Sequence, residues 1–237
     1  GSNPVKSEYP IESGWPTRMT NRAVRGLELL NADTSISFDE FSAIKHANAY
    51  SPRYRGYAYL SSVAELEPDG PEEAQALSLI RNWDLHTDTA NRSAALGVCI
   101  LLEEWQAERT GNALPDGRET LHTCMDSVRD VAGQLDPEWG TVQQHGRGQR
   151  TWPAAGGPDT LRAMYAEQLE DEDDFLTVVA GDGLYYLIEW NAEGKQTIRG
   201  THQYGSQMTD ESSPHYLDQA ESFSQEIMRA PGFYPEN

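Results

Sequence analysis

Histidines are the residues of this 237-residue chain most able to act as general bases or metal ligands. The six are His46, His86, His122, His145, His202 and His215. No two have the i, i+4 spacing that places two ligands on one helix face, and no HExxH motif occurs. We therefore interpret most of them as surface or structural residues, and we favour packing or capping roles for His202 and His215.

The sequence also lacks the usual motifs that mark a catalytic nucleophile. No serine lies in a GxSxG elbow, and the only cysteines are Cys99 and Cys124, which lie among apolar residues of predicted helices. We interpret them as two buried thiols; a disulfide is the alternative, and two lone cysteines do not make a metal site. The residues by themselves offer no self-sufficient catalytic set.

Two further stretches have a simple structural interpretation. Gly156-Gly157 lacks the Lys-Ser/Thr pair of a phosphate-binding loop, and it predicts a tight turn. The acidic run 170–174 lacks the ligand spacing and the glycine of an EF-hand, and it predicts a solvated loop.

Charge excludes several classes of partner. The chain has 38 acidic and 18 basic side chains, a formal net charge of −20. Nucleic acids and anionic membranes bind basic surfaces, so neither is expected here. No apolar run approaches the roughly 20 residues that a spanning helix needs, and no signal peptide is visible. We interpret Gly1-Ser2 as an expression remnant, which would hide the natural start.

The elements that must position any site fall into three regions. Residues 1–16 contain three prolines and predict an extended arm. Residues 17–135 predict a helical knob, and residues 136–237 predict the antiparallel part of a sheet with a C-terminal helix. Helices are predicted at about 17–30, 37–46, 71–83, 90–109 and 117–134.

The second half has a strand-like pattern. A strand is predicted at 141–145, and residues 175–181 and 184–190 predict a hairpin through Asp182-Gly183. A turn at 191–195 leads to a third strand at 196–205, and a helix is predicted over about 216–229. Residues 50–60 are rich in Tyr and Arg and predict irregular structure. The fold class is α+β.

Four stretches together resemble the penicillin acylase family of N-terminal-nucleophile hydrolases, especially the branch of acyl-homoserine lactone and lipopeptide acylases. They are TRMTNRAVRGLELL (17–30), AAGGPDTLRAMY (154–165), VVAGDGLYYLIEW (178–190) and HQYGSQMTDESSPHYLDQ (202–219). The segment 77–105 also resembles helices in the second half of that family's β chain. Their shared order over nearly the whole chain makes the resemblance specific.

The resemblance implies an amidohydrolase whose α and β chains are cut from one precursor. The fold it implies is an αββα sandwich, of which this chain would supply the helical knob, antiparallel strands and a closing helix. In the family a serine at the start of the β chain attacks the amide carbonyl, with its own α-amino group as base. Such an enzyme cleaves linear amides of acyl-homoserine lactones, β-lactam side chains or lipopeptides.

By the same resemblance this chain is the C-terminal part of the β chain. The nucleophilic serine would lie upstream, so the chain alone is expected to be inactive. Its expected partners are the upstream part of the precursor and a small acylated amide. The location implied is the periplasm or the outside of the cell. No cofactor is implied beyond a structural calcium in some members.

Three residues near the start lie at or close to positions with a role in the family. Arg18 in TRMTNR corresponds to an arginine that orients the oxyanion asparagine, a task suited to a planar, permanently charged guanidinium. Asn3 is near the position of that asparagine, although the spacing favours one upstream of residue 1. Glu12 is the acid closest to the family's calcium ligand in this arm.

The last stretch resembles the family's closing motif, in which a strand leads into a helix across the core. His215, Tyr216, Asp218 and Gln219 are predicted to tie that turn to neighbouring backbone, and Ser212 or Ser213 to cap the helix. His215→Ala is accordingly predicted to lower stability more than it alters substrate choice.

Two alternatives to an amidohydrolase place the chain in a different functional class. The chain would be a non-catalytic binding or assembly module that retains the acylase fold, or a free-standing acidic helical domain for which the resemblance is misleading. An upstream region without a Gly/Ala-Ser processing site would favour the first.

Overall fold

A computed structural model describes residues 19–169 and 174–230 of the chain. Helices dominate the first part and strands the second. The helices are α1 (Asn21–Asn31), α2 (Phe38–Lys45), α3 (Gly56–Ala64), α4 (Pro71–Arg81), α5 (Ala94–Thr110), α6 (Gly117–Ala132), α7 (Trp139–Val142) and α8 (Ala220–Ser224). The strands are β1 (Gln143–Arg147), β2 (Arg150–Pro153), β3 (Met164–Glu167), β4 (Leu176–Gly181), β5 (Tyr185–Trp190) and β6 (Gln196–Thr201). The arm predicted for residues 1–16 lies outside the described residues.

Two small sheets form from these strands. The first has the order β2-β1-β4-β3, and the second is the hairpin β5-β6. Within the first sheet β1 pairs with β4 in parallel, whereas β1–β2 and β3–β4 are antiparallel. The mixed helix-and-sheet content is that of an α+β protein, but the expectation of a purely antiparallel sheet is wrong at β1–β4.

Local signals in the sequence fix several helix ends as predicted. Ser37 accepts a hydrogen bond from the Glu40 backbone N–H, and the Glu40 side chain accepts one from Ser37, so the predicted capping box opens α2. Pro71 occupies the first turn of α4. Gly111 ends α5 with φ of +72°, a conformation that glycine adopts without steric cost.

The apolar core lies among α3, α4, α5 and α6. Its large aliphatic side chains without accessible surface include Val63, Leu77, Leu96, Ile100 and Leu121. Burial of each such side chain contributes about 1.5–3 kcal/mol. Gly97 allows the closest approach in this core, because a Cβ there would lie 2.1 Å from the Trp83 ring. Trp83 therefore packs directly on the α5 backbone.

Cys99 and Cys124 form a disulfide, so the interpretation as two free thiols is wrong. Cys99 lies on α5 and Cys124 on α6, and the two Cα atoms are 5.7 Å apart. The packing of two neighbouring helices brings the two sulfur atoms together. Because the cysteines are 25 residues apart along the chain, local sequence does not predict this contact.

Residues 50–60, for which irregular structure is predicted, include the start of α3. The helix has no side-chain cap at Arg55, so the usual start signal is missing. The spacing of Tyr59, Leu60 and Val63, all buried, was the available indication of a helical face.

The predicted hairpin between β4 and β5 is wrong. β4 pairs with β1 and β3, and β5 pairs with β6. The positive φ lies at Gly181 (+128°), not at Asp182 or Gly183, which the two-residue hairpin turn would require. The Asp182 backbone N–H donates to Ala163 O, so the chain turns away from β4 at this point.

The closing helix is shorter than predicted and is not capped by Ser212 or Ser213. It begins at Ala220 after Gln219 and ends at Ser224, and Glu226 just beyond its C-cap has φ of +61°. The following residues return to the hairpin through reciprocal backbone hydrogen bonds between Gly200 and Arg229. No described helix is both long enough and apolar enough to cross a bilayer.

Candidate functional site

Three predicted site residues, Arg18, Asn3 and Glu12, lie outside the described residues. The structure does describe how the segment that follows Arg18 is held. Helix α1 begins at Asn21, and the Thr20 side chain caps it by accepting from the Ala23 backbone N–H. The first turn of this helix is therefore the described element nearest to Arg18 in the sequence.

Asn21 is fully buried, and both its side-chain nitrogen and its side-chain oxygen are hydrogen-bonded. Its amide nitrogen donates to Ala49 O (3.3 Å) and Asp159 O (3.0 Å), and its Oδ1 accepts from the Ser51 backbone N–H (2.8 Å). Because these partners lie on two separate segments, Asn21 joins the start of α1 to residues 49–51 and to the loop at 159.

Asp159 completes this arrangement from the other side. Its Oδ2 accepts from the Asn21 backbone N–H at 2.6 Å, in the first turn of α1, where the helix dipole favours an anion. Burial raises the pKa of Asp159, while the Asn21 hydrogen bond and the Arg22 charge oppose that shift. Its φ of +59° is a conformation that aspartate tolerates better than most residues. We refer to Asn21, Ser51, Asp159 and Thr160 as the Asp159 junction.

The junction brings together two of the stretches that carry the family resemblance, 17–30 and 154–165. Arg22 Nε donates to Thr160 O at 3.1 Å, which adds a second connection from α1. The Thr160 backbone N–H donates to Gly157 O, so the tight turn is centred on Pro158 and Asp159 and not on Gly156-Gly157, where it was predicted. These hydrogen bonds fix the start of α1, and the junction supplies no nucleophile.

Arg162 lies next to the junction with no accessible surface. Its guanidinium donates to Phe223 O (2.7 Å) and lies 4.1 Å from the centre of the Phe223 ring. It also contacts Asp182 Oδ2 (3.5 Å) and Glu226 Oε1 (3.6 Å). A buried cation is costly unless it is paired, and this one has two carboxylates within ion-pair distance.

Lys45 from α2 also pairs with the Asp182 carboxylate. Its Nζ donates to Asp182 Oδ2 at 2.5 Å and to Leu161 O at 3.3 Å. Burial lowers the pKa of Lys45, and the Asp182 charge opposes that shift. Two cations and two carboxylates therefore face one another, and we call Lys45, His46, Arg162, Asp182, Tyr185 and Glu226 the Arg162 cluster.

His46 and Tyr185 form the edge of this cluster. His46 Nε2 lies 2.5 Å from the Tyr185 hydroxyl. Burial, together with the charges of Arg162 and Lys45, lowers the pKa of His46 to about 4, and burial raises the pKa of Tyr185 to about 12. A cleft of about 560 Å³ borders His46 and Glu226. Both groups of the pair are neutral near pH 7, and they hold structure rather than move protons there.

We expect the protein to lose stability as the pH falls from about 6.5 to about 4. His46 and His145 both have pKa values lowered to about 4 by burial, against an unfolded value near 6.5. The unfolded chain therefore binds more protons across this window, so the stabilising effect is complete above 6.5 and is lost below it. Each histidine contributes a slope of up to about 1.4 kcal/mol per pH unit. Urea unfolding at pH 7.5, 6 and 5 measures it.

His145→Phe is the matched variant for this test. His145 is surrounded by Trp152, Tyr204 and Phe223, so a phenyl ring keeps the aromatic packing and removes the titration. The variant is expected to show a smaller slope between pH 6.5 and 5. An unchanged slope would contradict the assignment of this histidine.

The predicted closing-motif residues connect two backbone segments. Gln207 N–H donates to His215 O (3.0 Å), and Gln219 N–H donates to Tyr204 O (2.8 Å). The Gln219 side chain accepts from the His202 backbone N–H, Asp218 O accepts from Arg229, and Arg147 lies over the Tyr216 ring. The His215 side chain itself is mostly exposed and lies 3.4 Å from Asp218 Oδ2.

We therefore expect His215→Ala to lower the free energy of unfolding by less than about 1 kcal/mol, since its side chain makes only an exposed contact with Asp218. Gly205→Ala is expected to cost more, about 1–3 kcal/mol, because a Cβ at this position would lie 2.1 Å from His215 O. Urea unfolding of both variants measures the difference. Equal losses would contradict a closure made chiefly by backbone.

The calcium implied by the resemblance finds no support among the described residues. Within 19–169 and 174–230, no group of three or more His, Cys, Asp or Glu side chains has an arrangement that holds a metal ion. Glu12 lies outside these ranges.

Sequence reasoning missed Asn21, Asp159 and Arg162 as positioning residues. All three lie inside stretches that carried the family resemblance, and Asp159 and Arg162 flank Thr160-Leu161 just after Gly-Gly-Pro. An arginine between apolar residues in AAGGPDTLRAMY was the one indication of a buried charge in this stretch. Its partners come from distant segments, so the sequence does not identify them.

A comparison with protein families extends this picture to nearly the whole chain. Residues 2–237 match the family model for penicillin amidase. A match of this length contradicts the alternative in which the resemblance is misleading. The stretches that meet at the Asp159 junction and the Arg162 cluster lie within the match. The chain therefore belongs to the penicillin amidase family of amidohydrolases.

Proposed function

We propose that this chain is the C-terminal part of the β chain of an enzyme that hydrolyses the linear amide of an N-acylated substrate. The serine nucleophile lies upstream, and its own amino group serves as base. Candidate substrates are acyl-homoserine lactones, β-lactams with an acyl side chain and lipopeptides. The chain alone is inactive, and its first partner is the upstream part of the same precursor.

The Asp159 junction is the observation that carries this proposal. Arg18 precedes Asn21 by three positions, and the Asn21 backbone N–H is held at 2.6 Å by a buried carboxylate. An arginine that orients an oxyanion asparagine needs such a fixed base, since small misplacements at an active site are costly in rate. In this proposal the junction fixes the base of α1, Arg18 orients the asparagine, and the asparagine stabilises the oxyanion.

The exposed face of β5 is evidence for a partner chain. Leu184, Tyr186, Ile188 and Trp190 alternate on one side of the strand, and each is 45% to 62% exposed. Contiguous apolar surface of this kind marks an interaction site. We assign it to the upstream part of the precursor, which would complete the layered sandwich that the family resemblance implies.

The disulfide supports an exported location. Disulfides persist mainly in oxidising compartments such as the periplasm and the exterior of the cell. The Cys99–Cys124 bond is consistent with that placement, which we propose for the whole enzyme.

An amidase assay on chromogenic acyl-anilides and acyl-homoserine lactones tests the proposal. The chain is assayed alone and after co-expression with its upstream coding sequence. Activity in the second case only is expected. No activity with the upstream part present and folded would favour the non-catalytic assembly module, and activity of the chain alone would mean that the nucleophile lies within it.

Asp159→Asn tests the role of the junction in the co-expressed enzyme. Asparagine tolerates the positive φ and keeps the shape, but it removes the charge that accepts the Asn21 N–H. We expect kcat to fall about tenfold, equivalent to one charge-assisted hydrogen bond of about 1.4 kcal/mol, with KM little changed. Asp130→Asn, on the exposed face of α6, is the control. A D159N enzyme with normal kcat would overturn the positioning role.

A further inference from the structure

Arg22 reaches from the first turn of α1 to the loop that carries Asp159. Its Nε donates to Thr160 O at 3.1 Å, and its Nη2 lies 3.4 Å from the Tyr165 hydroxyl. The same hydroxyl accepts from the Asp159 backbone N–H at 3.3 Å. The guanidinium is therefore fixed beside Asp159 by contacts with the loop itself and with β3.

The Asp159 carboxylate lies where its charge is disfavoured. The residue is buried, and burial raises its pKa, whereas the hydrogen bond from Asn21 and the charge of Arg22 lower it. Hydrogen bonds to an ionised acceptor are roughly twice as strong as those to a neutral one. The 2.6 Å contact with the Asn21 backbone N–H therefore depends on an ionised Asp159.

Of the described side chains near Asp159, Arg22 supplies the positive charge. The side chains that face the residue from other elements are uncharged: Tyr50, Tyr54, Leu101, Leu102, Trp105 and Tyr165. Burial raises the pKa of Tyr50 and Tyr54, so both phenols stay neutral. Lys45 from α2 donates to Leu161 O in the same loop, but its charge is paired with Asp182.

We propose that Arg22 is a positioning residue for amide cleavage, because its guanidinium keeps the Asp159 carboxylate charged and the charged carboxylate keeps the first turn of α1 in place. This inference rests on the proposed function, in which α1 carries the arginine that orients the oxyanion asparagine. Arg22 acts through Asp159 and not on the substrate. Protonation of Asp159 weakens the junction, so the loss of Arg22 has a larger effect on catalysis as the pH falls.

The kcat of the co-expressed enzyme at pH 7.5 and 5.5 tests this role with Arg22→Met and Arg22→Lys. Methionine keeps the aliphatic bulk and removes the charge, whereas lysine keeps the charge. Each variant's kcat is divided by the wild-type kcat at the same pH, which removes the titration of the nucleophile's own amino group. Loss of a nearby cation raises a carboxyl pKa by about one unit or more, so the R22M ratio is expected to fall about threefold from pH 7.5 to 5.5. The R22K ratio is expected to stay constant. An R22M ratio independent of pH, or an equal fall for R22K, would overturn the role.

A D159N background shows whether Arg22 acts through Asp159. The asparagine side chain carries no titrating carboxyl, so R22M is expected to lower the kcat of D159N by the same factor at both pH values. A factor that still grows on acidification would mean that Arg22 acts on another group, and the proposal would be wrong.

Urea unfolding of the wild-type and R22M chains separates this inference from the proposed function. Arg22 stabilises the fold through Asp159 only while the carboxyl is charged, so R22M is expected to lower the urea midpoint more at pH 7.5 than at pH 5. His46 and His145 titrate in both proteins and cancel in the difference. An inactive co-expressed wild type with this midpoint pattern would refute the amidase and leave the Arg22–Asp159 coupling in place. An equal loss of midpoint at both pH values would refute the coupling, even in an active enzyme.

Discussion

Arg162→Ala is expected to lower the free energy of unfolding by about 3–5 kcal/mol, the usual cost of removing one partner from a buried ion pair. The guanidinium has no accessible surface, and without it Phe223 O loses its donor and Glu226 its nearest cation. Urea unfolding at pH 7.5 measures the loss. The variant is also expected to release α8, because Phe223 lies on that helix.

Arg199→Ala is the matched control for this result. Arg199 also pairs with an aspartate, Asp39 at 3.2 Å, and also lies over a phenylalanine, Phe38 at 4.9 Å. Its side chain is 47% exposed, so the same set of contacts is expected to contribute less than about 1 kcal/mol. Equal effects of the two substitutions would show that burial does not set the strength of the Arg162 cluster.

Replacing both cysteines, Cys99→Ala with Cys124→Ala, is expected to lower the free energy of unfolding by about 3 kcal/mol. The bond closes a loop between residues 25 apart, so it restricts the unfolded chain and joins α5 to α6 in the folded one. Urea unfolding of the wild type and the double variant measures the difference.

A reducing agent provides the control for the disulfide. Dithiothreitol is expected to lower the stability of the wild type to that of the double variant and to leave the variant unchanged. Two free thiols in the denatured, unreduced wild type would contradict the bond itself.

Helix ends were predictable because their signals are local. Ser37 and Glu40 lie three positions apart, Pro71 enters the first turn of α4, and Gly111 follows the last residue of α5. Each signal acts through the backbone of its own turn, so no distant contact is needed to interpret it. α3 shows the converse, because its start at Gly56 has no capping side chain and its evidence is burial against α5 and α6.

Strand partners were not predictable in the same way. Asp182-Gly183 is a strong hairpin signal, yet Asp182 is held by Lys45 and by the backbone of Ala163. These partners come from α2 and from the loop before β3, and they outweigh a local turn preference. The parallel pair β1–β4 likewise joins residues that are 33 apart, Gln143 and Leu176, without any local signal.

The candidate site was predictable only as far as the family resemblance reached. The resemblance pointed to the stretches around Asn21 and Asp159, whereas the hydrogen bond between them spans 138 positions. Neither residue type is unusual by itself, since asparagine and aspartate are common at helix starts and in turns. Only the fold shows that the two are buried together.

The long span of the Asp159 junction also bears on the order of folding. Helices α3 to α6 pack on near neighbours in the chain, and such local contacts form quickly. By contrast, the start of α1 is held by Asp159, 138 positions later in the chain, and Lys45 pairs with Asp182, 137 positions later. We therefore expect α1 and α2, which precede the other described elements in the chain, to dock after the helical core has formed.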